Sequence, residues 1–214
     1  YRSDQEYLFM INISKLYCGL SGQSDKLRYS PDNRFGPIVV YNCTSRCNLA
    51  CRHCYSSSRS LQQDEELSTQ QAKDMLKDIA DFNCPVIRVT GGEPLLREDL
   101  FGLIEEANNL NLRTVLSTNG TLMNSLTAKK LADLAVNYVG ISIDGPEDFN
   151  NQFRGTKNCF SMTMQGIKNC IDVGIKTGLR FTIIRENYQH VPYIFKLAKN
   201  LGVRRICFYH LIRT

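Results

Sequence analysis

The sequence lacks the features that would assign it to several other classes of protein. No stretch approaches the ~18–20 consecutive apolar residues of a membrane-spanning helix, so we expect no membrane association. The N-terminal segment has no basic stretch followed by an apolar one, which predicts that there is no secretory signal. The net charge of +5 is spread over segments that mix acidic and basic residues, without the basic stripe typical of nucleic-acid binding. We therefore expect no nucleic-acid partner.

Cysteine, in contrast, is abundant. Nine cysteines are many for 214 residues, and their odd number without a secretory signal favours a reducing compartment over a disulfide framework. The sequence therefore predicts a cytoplasmic protein whose cysteines are thiols or metal ligands.

Long linkers and short-period repeats are also missing, and the length suits one domain with a sizeable core. Short β-rich runs alternate with amphipathic stretches of helical periodicity. The predicted strands are Ile38–Cys43, Val86–Thr90, Arg113–Ser117, Tyr138–Ile143, Thr177–Ile184 and Arg204–Tyr209. The predicted helices are Thr69–Phe82, Glu98–Leu110, Thr127–Leu134, Ser161–Val173 and Gln189–Leu201, the first opened by a capping box of Ser68 and Gln71.

This alternation predicts an α/β fold with parallel strands and right-handed crossovers. Six units give either a doubly wound open sheet or an incomplete barrel, and both bind ligands at the carboxyl ends of their strands. Polar and glycine motifs follow strands 1 to 4, at that edge. We expect residues 1–35 to form an N-terminal cap and residues 36–214 the core domain. The chain ends soon after the sixth strand, so we expect a portion of a longer protein, with a C-terminal extension absent from this chain.

Three cysteines after the first strand have the spacing of a metal-cluster site. Cys47, Cys51 and Cys54 form a C-x3-C-x2-C motif, which offers three thiolates to a [4Fe–4S] cube and leaves one iron open to a small molecule. A structural zinc site is one alternative, but it usually requires a second cysteine pair. A fully ligated cube that also uses Cys43 is another, although Cys43 falls within the predicted strand.

The triplet, the aromatic Tyr55 that follows it and the motif Gly91-Gly92-Glu93-Pro94 together resemble the radical S-adenosylmethionine (SAM) enzymes. The resemblance covers residues 36–212 and implies a partial (β/α)6 barrel with a radical SAM core. It implies that the cluster's open iron holds SAM and that reductive cleavage of SAM gives a 5′-deoxyadenosyl radical. Tyr55 would then lie among the cofactor-binding residues.

The glycine motif after the second strand has a role in that interpretation. Gly91 and Gly92 would let the backbone approach the ligand, since they lack a Cβ atom. Glu93 would accept a charge-assisted hydrogen bond from the amino group of SAM, with Pro94 beside it. The alternative is an ordinary strand-to-helix turn with proline at the helix start.

The strand ends supply further candidates for the SAM pocket. Ser142 and Asp144 are placed for the ribose hydroxyls, and Ser117 and Asn119 could face the same ligand. The alternative for Asn119 and the glycine after it is an ordinary β-turn.

Two arginines complete the predicted cofactor site. Arg154 resembles the basic residue that meets the SAM carboxylate, with a solvated loop arginine as the equal alternative. Arg180, on the fifth strand, is a candidate if its side chain points into the barrel, because a charge there needs a partner or a ligand. His210, near the end of strand six, could face the substrate, although a structural role is more common for a lone histidine.

The stretches Met10–Gly19, Asp25–Tyr29 and Pro37–Thr44 resemble the radical SAM proteins of haem d1 synthesis and of the siroheme-dependent haem pathway. This implies modification of propionate side chains on an iron tetrapyrrole and a reductant such as flavodoxin or ferredoxin. These relatives belong to a group with a SPASM or twitch extension, so an auxiliary Fe–S cluster is possible in a missing C-terminal region. The rival hypotheses are a radical SAM peptide maturase and, in another class, an iron–sulfur electron carrier or sensor.

Overall fold

The computed structural model describes residues 36–54, 58 and 66–210, and its centre is a sheet of six parallel strands. The strands are β1 (Val39–Asn42), β2 (Val86–Thr90), β3 (Arg113–Thr118), β4 (Tyr138–Ser142), β5 (Thr177–Ile183) and β6 (Ile206–His210). Each strand pairs with the next one along the chain, so the spatial order is the sequence order. The sheet curls into a half-barrel, which confirms the predicted incomplete barrel.

Six α-helices connect the strands of the described chain. They are α1 (Thr69–Asp81), α2 (Leu100–Asn109), α3 (Ser125–Asp133), α4 (Glu147–Arg154), α5 (Cys159–Asp172) and α6 (Val191–Asn200). The predicted capping box opens α1: the Gln71 amide donates to the Ser68 hydroxyl, and the Ser68 amide donates to the Gln71 side chain. Every predicted strand and helix is present, with ends within two residues of the prediction.

Helix α4 is the one that the sequence analysis missed. It has only eight residues, most of them polar, and no run of apolar residues at helical spacing. Its start is nevertheless marked by Pro146 at the N-cap and by two acidic residues, Glu147 and Asp148, in the first turn. Gly155 ends it in a left-handed conformation, with φ of 70°.

The two faces of the sheet differ in character. The convex face carries a row of buried apolar side chains that pack under the helices, among them Ile87, Leu116, Val139, Ile141 and Leu179. The concave face carries the residues between them. Because paired residues in neighbouring strands share a face, Ser142, Arg180 and Cys207 form one row there.

All six strands run the same way, so their carboxyl ends meet at one edge, where the predicted motifs lie. The predicted N-terminal cap, residues 1–35, and Tyr55 lie outside the described residues. Within residues 36–54, 58 and 66–210, no helix is long and apolar enough to cross a membrane.

Candidate functional site

The loop that carries the three cysteines is fixed first by the glycine motif that follows β2. The Gly92 amide donates to the carbonyl of Thr44 at 2.8 Å, and the Glu93 amide donates to the carbonyl of Arg46 at 2.7 Å. These bonds continue the pairing of β1 with β2 past the ends of both strands. The entry to the cysteine loop therefore has a defined position relative to Glu93.

The two glycines of this motif are needed because the two backbones touch. A Cβ atom on Gly91 would overlap the carbonyl oxygen of Thr44, and one on Gly92 would overlap that of Arg46. Gly91 also has φ of 150°, which a side chain disfavours. We predicted that these glycines admit a ligand. The close approach in the structure is instead to the chain itself.

Helix α4 fixes the same loop from the other side. The amides of Ala50 and Arg52 donate to the carbonyls of Arg154 and Phe153, at 3.2 and 3.0 Å. The ring of His53 stacks on Phe153 with 4.6 Å between ring centroids. Carbonyls at a helix end lack intrahelical partners, so the cysteine loop satisfies them. The helix that the sequence analysis missed is thus half of the support for the cysteines.

The three cysteines of the loop are partly exposed. Burial raises the pKa of Cys51 to about 11, against the lowering effect of Arg154. Burial also raises the pKa of Cys47, whose sulfur accepts a hydrogen bond from the Leu49 amide at 3.4 Å. A charge on Cys54 would raise the pKa of both Cys47 and Cys51 further.

These thiols fit a cluster better than a single ion. Among the described residues, no three potential ligands come close enough to hold one metal ion. In a four-iron cube each thiolate binds a different iron, so the sulfurs need not converge on one point. Cys43, the fourth ligand considered from the sequence, is 1% exposed and belongs to the apolar core, where burial raises its pKa to about 12.

Glu93 is fully buried, with its carboxylate turned toward the end of β3. One oxygen accepts from the Thr118 hydroxyl at 2.7 Å and from the Leu95 amide at 3.2 Å, and the other accepts from the Asn119 amide at 2.8 Å. Burial raises the pKa of Glu93, and these hydrogen bonds oppose the shift. A carboxylate has about four acceptor positions. Three donors leave one acceptor position, and the contact of Glu93 with the amino group of SAM stays a prediction.

Asn119 joins the end of β3 to the cysteine loop. Its side-chain amide donates to Asn48 at 2.9 Å, and its side-chain oxygen accepts from the amide and hydroxyl of Thr121. Asn48 in turn donates to the Thr121 hydroxyl at 2.9 Å. The Asn119 side chain thus bonds within the protein, and a direct contact with SAM stays a prediction.

Asp144 and Arg154, predicted to bind different parts of SAM, form a buried ion pair with each other. The guanidinium donates to the carboxylate at 2.5 Å, and the side chains are 1% and 4% exposed. Burial alone would lower the pKa of Arg154, but Asp144 and Cys51 raise it above its usual value. The alternative of a solvated loop arginine is wrong, because Arg154 is the buried last residue of α4. Contacts of either residue with SAM stay predictions.

The remaining candidates lie on the concave face or close to it. Ser117 lies opposite Gly140, and Ser142 lies opposite Arg180. Arg180 therefore lies in the concave row, which is the condition that the sequence analysis set for its candidacy, and its contact with SAM stays a prediction. His210 pairs with Ile183, which lies on the same face of β5 as Leu179. His210 therefore belongs to the convex face and not to the concave face that carries Arg180. The position of His210 disfavours a contact with substrate in the barrel.

The sequence analysis missed several residues that build the site. Thr118 and Asn48 connect Glu93 and Asn119 to neighbouring segments, and His53 lies 3.8 Å from the Asp144 carboxylate. Burial lowers the pKa of His53, against the opposing effect of Asp144. Thr118 directly precedes Asn119, so the strand-end pattern could have indicated it. Asn48 and His53 carry no such signal, because their partners are far away in sequence.

Comparison with known proteins agrees with this arrangement. The family model of the radical SAM superfamily matches residues 41–198. The chain is 45% identical to Fe-coproporphyrin III synthase of Methanosarcina barkeri (strain Fusaro / DSM 804), over 95% of this chain and 54% of that protein. It is 42% identical to pre-heme d1 synthase of Dinoroseobacter shibae (strain DSM 16493 / NCIMB 14021 / DFL 12), over 82% and 44%. The chain thus spans about half the length of these curated relatives.

Among solved structures, native anSMEcpe with bound AdoMet superimposes with a TM-score of 0.70 at 23% identity, covering 82% of this chain and 51% of that one. This similarity supports the half-barrel fold. The chain belongs to the radical SAM superfamily, which implies a [4Fe–4S] cluster and SAM as its cofactors.

Proposed function

We propose that this chain is the catalytic core of an enzyme that modifies carboxylate-bearing side chains, in the first place propionates, of an iron tetrapyrrole. The observation that carries the substrate class is the identity of 45% and 42% to two proteins whose names place them in tetrapyrrole synthesis. The observation that carries the chemistry is the three-cysteine loop held beside the Gly91–Pro94 motif.

In the proposed mechanism, Cys47, Cys51 and Cys54 hold the cluster. The chemistry that the cluster and SAM supply when bound is hydrogen-atom abstraction by a 5′-deoxyadenosyl radical. Glu93 orients the amino group of SAM with its remaining acceptor position, while Thr118 and Asn119 keep its carboxylate in place. Ser117 and Ser142, at the ends of β3 and β4, face the space where the nucleoside would lie.

The ion pair of Asp144 and Arg154 has a supporting role in this mechanism. The pair is buried, and its arginine is the last residue of α4. The last two carbonyls of α4 accept hydrogen bonds from the loop amides of Ala50 and Arg52. Fixed hydrogen bonds of this kind hold a ligand loop in its binding geometry. The pair therefore positions the cysteines.

We further propose a cytoplasmic location and a one-electron donor such as flavodoxin or ferredoxin. The support is the motif of Cys47, Cys51 and Cys54, whose thiols must be reduced to bind an iron–sulfur cluster. A reducing compartment keeps them so. An auxiliary Fe–S cluster in a C-terminal extension also stays a proposal, and it rests on the resemblance to the extended radical SAM group.

The experiment that tests this function is anaerobic reconstitution of the protein followed by incubation with SAM, dithionite and didecarboxysiroheme, with a panel of peptides in parallel. We expect 5′-deoxyadenosine and a tetrapyrrole of changed side-chain mass, detected by mass spectrometry. Modified peptide with unchanged tetrapyrrole would favour the peptide maturase. Absence of 5′-deoxyadenosine under all conditions would favour the electron carrier.

A further inference from the structure

The concave face of the half-barrel carries three arginines that the site described above does not explain together. Arg88 lies at the middle of β2, Arg180 on β5, and Arg205 immediately before β6. Arg88 pairs with Val115, and Arg180 pairs with Cys207. Arg205 directly precedes Ile206, the partner of Leu179, so the same register places Arg205 opposite Gly178. The three guanidiniums therefore come from both halves of the sheet into the same concave space.

Two tyrosine rings contact two of these arginines on the concave face. The Arg180 guanidinium lies 4.6 Å from the centroid of the Tyr209 ring, and that of Arg205 lies 5.0 Å from the Tyr138 ring. Both Arg180 and Arg88 lie near enough to Tyr209 to oppose the rise in its pKa that burial causes. Since β2 and β6 are not neighbours in the sheet, this electrostatic effect of Arg88 on Tyr209 acts across the concave face rather than along a strand pair.

Two glycines make room for this arrangement. A Cβ atom on Gly140 would lie 2.8 Å from Cδ of Arg180, and one on Gly178 would overlap the hydroxyl of Tyr138. A side chain at either position would push the arginine or the tyrosine out of the face. The backbone is thus shaped to keep these polar side chains inside.

In the part of the chain that the structure describes, no carboxylate forms an ion pair with these three arginines. None of the six strands contains Asp or Glu. The Nε atom of Arg88 is buried without a hydrogen-bond partner. A buried guanidinium nitrogen without a hydrogen-bond partner loses hydration that nothing replaces. This pattern is typical of a site whose counter-charge comes with the ligand.

We infer that Arg88, Arg180 and Arg205 bind the carboxylate groups of the substrate on the concave face. This inference rests on the proposed function and deepens it, because an iron tetrapyrrole carries several carboxylates spaced around a flat ring. The planar guanidinium donates two parallel hydrogen bonds to a carboxylate, which fixes orientation as well as position. Arg180 pairs with Ser142, the last residue of β4, whereas Arg88 is in register with Val115 and, through it, with Tyr138 at the start of β4. Arg180 is therefore nearer than Arg88 to the carboxyl edge, and it would hold the carboxylate closer to the reacting side chain.

The test is equilibrium binding of iron(III) coproporphyrin III to the reconstituted protein, followed by the Soret band, without turnover. Its tetra-amide, in which every carboxylate is replaced by a neutral amide, is the matched ligand. Arg88→Met and Arg180→Met are each expected to weaken binding of the tetra-acid about tenfold or more. Neither should change binding of the tetra-amide. Arg204→Met, which removes an exposed guanidinium next to Arg205, is the matched control and should change neither.

The outcomes separate this inference from the proposed function. Wild-type binding of the tetra-acid with no loss in the two variants would overturn the inference and leave the function standing. A wild type that binds neither ligand would overturn the function itself. Loss of SAM affinity in Arg180→Met, with porphyrin affinity unchanged, would assign Arg180 to the SAM site and overturn its role here. If a methionine variant fails to fold, Arg88→Lys and Arg180→Lys replace it, because lysine keeps the positive charge. A second readout is the salt dependence of binding: the wild-type protein should bind the tetra-acid more weakly at high salt.

Discussion

At the scale of single residues, the site depends on two glycines that lack a Cβ atom and on three buried charged side chains. Gly91 and Gly92 allow two backbones to touch, and the resulting hydrogen bonds place Glu93 beside the cysteine loop. Glu93, Asp144 and Arg154 are all buried, and each has partners in the protein. Their burial makes the consequences of substitution large and specific.

Replacement of Gly92 by alanine tests the backbone contact. The new Cβ would overlap the carbonyl of Arg46, so we expect a loss of about 1–3 kcal/mol in the free energy of unfolding, measured by urea denaturation of the apo protein. Gly102→Ala is the control, because that glycine lies in α2 with no atom within 4 Å of the added Cβ. It should stabilise the protein by about 0.4–1 kcal/mol. Equal effects at the two positions would contradict the contact.

Replacement of Arg154 by methionine tests the buried ion pair. It leaves the Asp144 carboxylate buried without its partner, so we expect a loss of about 3–5 kcal/mol in the free energy of unfolding. Lys129→Met, which breaks an exposed ion pair with Asp133, is the control and should cost less than about 1 kcal/mol. A small effect of Arg154→Met would mean that the pair is solvated in solution.

At the scale of secondary-structure elements, short α4 and the strand ends together hold the cysteine loop. The sequence predicted the strands well, because buried parallel strands read as apolar runs bounded by polar motifs. It also predicted which motifs meet, because carboxyl ends of parallel strands share an edge. It could not predict α4, whose polar sequence lacks periodicity, nor the pairing of Asp144 with Arg154, because side-chain partners depend on the loop path.

The element-scale prediction concerns the hydrogen bonds between the cysteine loop and α4. Arg52→Pro removes the amide that donates to the Phe153 carbonyl, whereas the Arg52 side chain itself is exposed. We expect the proline variant to retain clearly less iron after anaerobic reconstitution and gel filtration, measured as iron per chain. Arg52→Ala keeps the amide and should match the wild type. Equal iron in both variants would show that α4 does not support the loop.

At the scale of the whole molecule, one curled sheet combines two chemical environments. Its carboxyl edge carries the thiols and the polar groups that we propose bind SAM, and its concave face carries guanidiniums that form no ion pair with any described carboxylate. The convex face is apolar and supplies the packing. Because the apolar core lies under the helices, the concave face is the surface that we propose for the charged, flat substrate.

The measurement that tests the central claim most directly is cluster content and SAM cleavage in single cysteine variants. Cys47→Ala, Cys51→Ala and Cys54→Ala should each lose the cluster's visible absorption and all formation of 5′-deoxyadenosine after anaerobic reconstitution with dithionite and SAM. Cys43→Ala changes the cysteine considered as a fourth ligand. In the fraction that folds, this variant should keep the cluster's visible absorption and the formation of 5′-deoxyadenosine. Loss of the cluster in Cys43→Ala with the fold intact, or cleavage of SAM without the loop cysteines, would contradict the three-cysteine site.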